Sequence, residues 1–145
     1  MAVWVFKSEP GAWSWEDQVK RGPAGEPWTG VRNHQAANNM KAMAVGDLGF
    51  FYHYVDEKRI MGLVRVTESY QPDPTDPSGR FGMVRVAALR ALPRPVSLSE
   101  IKAEPALSGL LLVRQSRLSV MPIPEEAFTR ILAMGGLTPE ELEQA

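Results

Sequence analysis

The chain has 145 residues, 44% hydrophobic and 23% charged, with a net charge of −1 and no cysteine. That length and balance suit one domain with its own core and exclude a disordered or membrane-embedded chain. The missing thiols exclude disulfides, thiolate metal ligands and cysteine nucleophiles, and they fit a reducing, cytoplasmic setting.

The opening stretch, MAVWVFKSEP, has no basic start followed by a long apolar run, so neither a leader nor a membrane span is expected. Residues 3–6, VWVF, read as a strand that Pro10 and Gly11 end. In SWEDQVK, Ser14 stands three residues before Asp17, which predicts a helix start. GPAGEP, residues 22–27, reads as a loop. Residues 31–43, VRNHQAANNMKAM, place Ala36, Met40 and Met43 on one helix face, with Thr29 the expected cap and Gly46-Asp47 the stop.

From Leu48, LGFFYHYV reads as a strand with Leu48, Phe50, Tyr52 and Tyr54 alternating against Phe51, His53 and Val55. Asp56 to Arg59 is a predicted charged turn, and IMGLVRVTESY a partner strand. QPDPTDPSGR carries three prolines in ten residues and is expected to be loop. MVRVAALRAL predicts a third long strand, and Ser97 with Glu100 a capping box opening a short helix. LLLVRQSRLSVMPI reads as a final strand, and PEEAFTRILAMGG as a helix between Pro124 and Gly135-Gly136. Thr138 and Glu141 repeat the capping-box spacing, so the last ~8 residues are expected to be a terminal helical turn or tail of one domain spanning 1–145. Residues 125–145 hold five acids and one base, a net of −4, which leaves +3 for residues 1–124. A mildly basic body is compatible with phosphate contact. Strands through the middle and helices at both ends predict an α+β domain around a strongly curved sheet or small barrel.

No phosphate-cradling loop, dinucleotide glycine pattern, zinc-protease motif or nucleophile elbow is present. His34 and His53 are not at metal-ligand spacing, so no metal site is expected. Polar residues instead gather in four places: Lys7-Ser8-Glu9, Trp28 to Asn39, Tyr52-His53, and Arg114 to Arg117. Each place has a structural explanation. Asn33 suits a helix cap, Arg32 a surface charge, Trp28 the core, His53 a satisfied strand position and Lys7 a snorkelling strand end. Glu9 could pair with either arginine segment. Read as a strand, Arg114 and Ser116 share a face with Leu112, Leu118 and Val120, and Gln115 and Arg117 share the other with Val113. A polar break on both faces of an otherwise apolar strand suggests a bulge or a cavity wall. Taken together, an indole, a phenol, amides and hydroxyls would suit a planar polar heterocycle, with lysine and arginine holding flanking phosphates.

In these same residues, WVFKSEP, WTGVRNHQAANNM, GDLGFFYHY and VRQSRLSV resemble the successive motifs of the EVE domain, in order from about Trp4 to Gly135. The resemblance implies a PUA-like fold, a small curved β-barrel with peripheral helices related to the YTH readers of methylated RNA. It also implies a non-catalytic, cofactor-free module that binds modified bases in DNA, chiefly modified cytosines, in an aromatic-lined pocket; RNA binding is the alternative. Carried over residue by residue, it places Lys7 and Ser8 in a Lys-Ser-Glu-Pro turn, Trp28 before an Arg-Asn pair at Arg32 and Asn33, Tyr52 and His53 at a Tyr-His strand end, and Gln115, Ser116 and Arg117 in a Gln-Ser-Arg segment. His34 stands where the family often has tyrosine, and Tyr54 where serine is frequent.

The expected base pocket is therefore Ser8, Trp28, Asn33, Tyr52, His53, Gln115 and Ser116, with Trp28 and an aromatic near Tyr52 as walls. Lys7, Arg32 and Arg117 are expected to face phosphate. The expected partner is DNA or RNA carrying a modified base, bound by a cytoplasmic or nucleoid-associated monomer with no membrane contact. Two other readings compete. One is a base-processing enzyme or nuclease using His53 or His34 with Glu9. The other is an interaction module using the surface around ILAMGGLTPEEL.

Overall fold

A computed structural model describes residues 2–55 and 57–143, the last by its backbone alone. Asp56 of the predicted charged turn lies outside the described residues, and Arg59 already belongs to a strand. Among the described residues six strands occur in chain order: β1 (Val3–Ser8), β2 (Glu26–Pro27), β3 (Leu48–His53), β4 (Arg59–Pro72), β5 (Gly82–Ser97) and β6 (Val120–Ile123). The helices are α1 (Trp15–Lys20), α2 (His34–Lys41), α3 (Leu98–Ala103), α4 (Leu111–Arg114), α5 (Glu125–Met134) and α6 (Pro139–Glu143).

The strands form one mixed sheet in the order β2-β5-β4-β3-β1-β6. β1 and β3 are parallel, and every other neighbouring pair is antiparallel. Both parallel strands are buried along their whole length, which explains why VWVF and LGFFY are apolar on both faces. β4 and β5, 14 and 16 residues long, slip register at four places. Each slip adds bend and twist, so the sheet curls, with β2 and β6 as its two ends. The expected α+β, PUA-like architecture is thus present as a curled sheet rather than a closed barrel.

Helices cover the sheet on both sides. Phe50 meets Phe128 of α5 at 4.9 Å between ring centroids. Its neighbour Phe51, on the other face, meets Trp15 at 5.4 Å and Trp28 at 5.7 Å, and Trp28 also stands edge-on to Phe6 at 5.2 Å. The indole of Trp15 crosses directly over Gly62, where an added Cβ would lie 2.4 Å from the ring. Only a residue without a side chain lets α1 sit that close to β4.

Two of the three predicted helix starts form full capping boxes, Ser14 with Asp17 on α1 and Ser97 with Glu100 on α3, and at the third the Thr138 N–H donates to Glu141 Oε1 at 3.2 Å. Thr29 does not cap α2. The cap is Asn33, whose Oδ1 accepts the Ala36 N–H at 2.9 Å, so the cap stands at 33 rather than at 29. Ala36, Met40 and Met43 are buried as expected. LLLVRQSRLSVMPI is not one strand. Residues 111–114 are helical, a turn follows, and pairing starts only at Val120. Strand alternation therefore does not set the faces of Arg114 to Arg117. At the far end, Ile131, Leu132, Leu137 and Leu142 are buried, which leaves little apolar side chain for the surface around ILAMGGLTPEEL.

Candidate functional site

The parallel pair β1 and β3 ends in register, Ser8 beside His53, and the Tyr54 N–H continues the pairing by donating to the Ser8 carbonyl at 3.1 Å. Beyond these strand ends the chain opens into a hollow of about 460 Å³. One side is the turn after β1, with Lys7, Ser8, Glu9 and Trp13; the other is the stretch 26–32 with Trp28 and Arg32; Tyr54 and Ser119 complete the rim.

Trp28 is 8% exposed, wedged against Phe6 and Phe51, so it offers one edge or face to the hollow and is otherwise core. Its N–H donates to the Val84 carbonyl at 2.7 Å, which ties the segment to β5. Trp13 is half-buried and held through Gln18: the indole N–H donates to Gln18 Oε1 at 2.9 Å, while Gln18 Nε2 donates to the Val86 carbonyl at 3.1 Å. Ser8 Oγ donates to the Trp13 carbonyl, bringing the two ends of the turn together. Tyr54 is 40% exposed. Three aromatic side chains therefore border one hollow, and Tyr54 among them is not committed to the core.

The segment carrying Trp28 and Arg32 is clamped by the β4–β5 loop. Asp73 is almost fully buried and accepts the Gly30 N–H at 2.8 Å and Arg32 Nη1 at 3.1 Å. Its other oxygen accepts the N–H and hydroxyl of Thr75 at 2.7 and 2.6 Å. Burial alone would raise the Asp73 carboxyl, but the Thr75 and Gly30 donors and Arg32 outweigh it and hold the group below the usual carboxylate range. Arg32, half-exposed, also donates to Thr75 Oγ1 at 3.0 Å. It is thus a fixed cation at the rim, held by an acid that sequence reading passed over as loop.

Lys7 is buried to 9% exposure, and burial lowers its ammonium from the ordinary lysine value. Nζ donates to the Ser116 carbonyl at 2.9 Å. Glu9 pairs with no arginine among the described residues; its Oε1 accepts the Gly11 N–H at 3.0 Å.

The remaining predicted residues lie elsewhere. Tyr52, 2% exposed, lies outside the hollow next to Lys7, whose Nζ is 5.7 Å from its ring; burial pushes the phenol up to about 12. His53 is also buried, and its Nε2 accepts the Trp15 N–H at 3.0 Å, locking the start of α1 to the end of β3. Its Nδ1 lies 3.3 Å from Glu57 Oε2, close enough for attraction but poorly aligned for a hydrogen bond. Burial lowers the imidazole below its ordinary value, and Glu57 only partly offsets this. Asn33, Gln115, Ser116 and Arg117 line a second hollow of about 320 Å³, together with Gln35 and Arg114. So Lys7, Ser8, Trp28 and Arg32 share one hollow, Asn33 and the 115–117 turn share another, and Tyr52 and His53 lie outside both.

Sequence reading missed Trp13 and Asp73 as site residues, weighed Glu9 only as a partner of arginine or histidine, and weighed Tyr54 only as a departure from the family pattern. Trp13 had a usable signal: an aromatic immediately before a helix-capping serine, pinned near the strand end by the Pro10-Gly11 turn.

A curled mixed sheet with helices on both faces and an aromatic-walled hollow at the ends of its parallel strands defines a PUA-like α+β domain. A YTH domain from Zygosaccharomyces rouxii, solved with N6-methyladenosine RNA, shares this fold at 19% identity and a TM-score of 0.56, covering 94% of this chain and 88% of that one. The chain belongs to the EVE domain family, whose pattern matches residues 2–134. It is 45% identical to a protein of Agrobacterium tumefaciens, with a TM-score of 0.93 and 96% of each chain covered. It is 32% identical over 163 aligned positions to human thymocyte nuclear protein 1, covering 90% of this chain and 72% of that protein. The human THYN1 protein in complex with DNA containing 5-methylcytosine superposes with a TM-score of 0.87 at 32% identity, over 96% of this chain and 100% of that one.

Proposed function

We propose that the protein reads a modified base, cytosine-derived and carried in DNA, by holding it in the aromatic-walled hollow without altering it chemically. The observation that carries this reading is the convergence of Trp13, Trp28 and Tyr54 on one space of about 460 Å³, within the ~300–1,000 Å³ range of small-ligand sites. The relative solved with 5-methylcytosine DNA supports the choice of base.

An aromatic side chain stacked on a base contributes about 1–3 kcal/mol, and drawing a base out of a duplex costs a few kcal/mol. Stacking on Tyr54 and Trp13 therefore roughly offsets extrusion, and net affinity has to come from the base edge and the phosphates. Glu9 and the main-chain carbonyls supply acceptors of the kind an exocyclic amine needs, and Ser8 a hydroxyl. Lys7 and Arg32 face the backbone, Lys7 with two ammonium donors beyond the one given to Ser116. The two histidines are engaged structurally, His53 with the Trp15 N–H and His34 against the Phe81 ring at 5.0 Å, which favours binding over base processing. Among the described residues no helix is long and apolar enough to cross a membrane, and the reading has the protein acting as a monomer on nucleic acid in the cytoplasm.

Trp28→Ala is a poor test, because truncating a buried tryptophan costs about 3–5 kcal/mol of stability. Tyr54→Ala removes an exposed wall instead. Titrated with DNA and RNA oligonucleotides with and without one 5-methylcytosine, the wild type is expected to prefer the modified DNA. Tyr54→Ala is expected to bind it about tenfold more weakly while melting within a few degrees of wild type. Equal binding of modified and unmodified strands by the wild type would refute the reading.

A further inference from the structure

We infer that the second hollow, around the 114–118 turn, is a seat for the phosphodiester backbone next to the base, so that the unit recognised is a stretch of strand rather than a lone base. This rests on the base-reading assignment of the first hollow and extends it. The hollow holds about 320 Å³ and is lined by Asn33, Gln35, Arg114, Gln115, Ser116 and Arg117 above Leu118. Among the described residues no carboxylate lines it.

Most of the arginines here are matched to acids. Arg21, Arg32, Arg59, Arg85, Arg90, Arg94 and Arg130 each lie within 3.6 Å of a carboxylate oxygen. Among the described residues Arg65, Arg80, Arg114 and Arg117 face no carboxylate, and of these only Arg114 and Arg117, both exposed and three residues apart, line one hollow. Two unmatched guanidinium groups over a bed of amides and a hydroxyl form a surface for an anion that also offers acceptors, and phosphate is the planar-fork partner of arginine.

The two hollows share a partition. Arg32 lines the first and Asn33 the second; Ser119 lines the first and Leu118 the second. Lys7, on the wall of the first, bonds through Nζ to the carbonyl of Ser116 in the second at 2.9 Å. A base in the first hollow leads its own sugar and phosphate across that lysine, and the next phosphate arrives over Arg114 and Arg117. Gln115 and Ser116 then contact backbone rather than the base edge.

The test uses the double variant Arg114→Gln/Arg117→Gln in the full chain, with its fold checked by melting. Affinity is measured against salt for a short DNA strand carrying one 5-methylcytosine, for the same strand unmodified, and for the free nucleoside 5-methyl-2′-deoxycytidine. The expected result is a loss of about tenfold or more for both strands, with the slope of log affinity on log salt falling by about one per arginine. The preference for the modified strand and the affinity for the nucleoside stay at wild-type values. An unchanged slope and affinity would overturn the seat while leaving the base reading intact. Loss of the modified-strand preference would also overturn it, because the turn would then be reading the base. Displacement of the strand by low millimolar inorganic phosphate, with no dependence on strand length, would show a free-anion site instead. A wild type that shows the arginine-dependent salt slope but no preference for the modified strand would refute the base reading alone.

Discussion

At His53 the hydrogen bond from the Trp15 N–H requires Nε2 to be an unprotonated acceptor, and burial disfavours the imidazolium as well. The folded-state value therefore lies below the ordinary 6.5 of an unfolded histidine. The sign of the linkage follows from that order. Above the unfolded value both states are neutral and the contribution to stability is complete. As pH falls below it the unfolded chain takes up a proton that the folded chain refuses, and stability drops until the folded value is passed. Melting temperature measured from pH 7.5 to 5 is expected to fall more steeply in the wild type than in His53→Gln, which cannot titrate. Parallel curves would remove the imidazole from the account. The same residue illustrates how a histidine at a strand end, a candidate pocket residue in sequence, becomes a structural acceptor once a helix start is packed on it.

Among the elements, the β4–β5 loop and the stretch 26–32 behave as one clamp, because Asp73 bonds both Gly30 and Arg32. Asp73→Ala frees Arg32, which is half-exposed and can rehydrate, but it also abandons the Gly30 N–H and Thr75. A loss of about 2 kcal/mol in denaturant unfolding is expected, with amide exchange fastest over residues 28–32 and base binding weakened. Unchanged protection of those residues would show that the clamp does not position Trp28.

This clamp also marks where sequence stopped being informative. β1, β3, α1, α3 and α5 were legible because period, capping pairs and proline-glycine punctuation all act within a few residues. Asn33 was read both as a cap and as a base contact because the two roles use the same amide, and the Ala36 N–H shows that the cap forms. The 110–123 stretch was misread because a short apolar run suits a buried helical turn as well as a strand. Asp73 was invisible because the two residues it clamps, Gly30 and Arg32, lie more than 40 residues away in sequence.

For the molecule as a whole, a net charge of −1 conceals a division. The acidic end carries −4, and its helix α5 packs on the Phe50 face of the sheet. Trp28, whose edge opens to the first hollow, belongs to the cluster over Phe51 on the other face, and the unmatched Arg114 and Arg117 border the hollow next door. On the proposed reading a polyanion would approach by these two arginines rather than by the acidic end. The curl of β4 and β5 brings the ends of β1 and β3 under the 26–32 stretch, which is how residues distant in sequence come to enclose one space.

The claim at the centre of this account is that the modified base itself enters that space. It is tested most directly by recording intermolecular nuclear Overhauser contacts from a ¹³C-labelled 5-methyl group on a cytosine oligonucleotide bound to the protein. Contacts to the ring protons of Trp13, Trp28 and Tyr54 are expected, with none to residues 114–118. Methyl contacts confined to the 114–118 turn, or a bound methyl group touching no aromatic ring of the hollow, would contradict it.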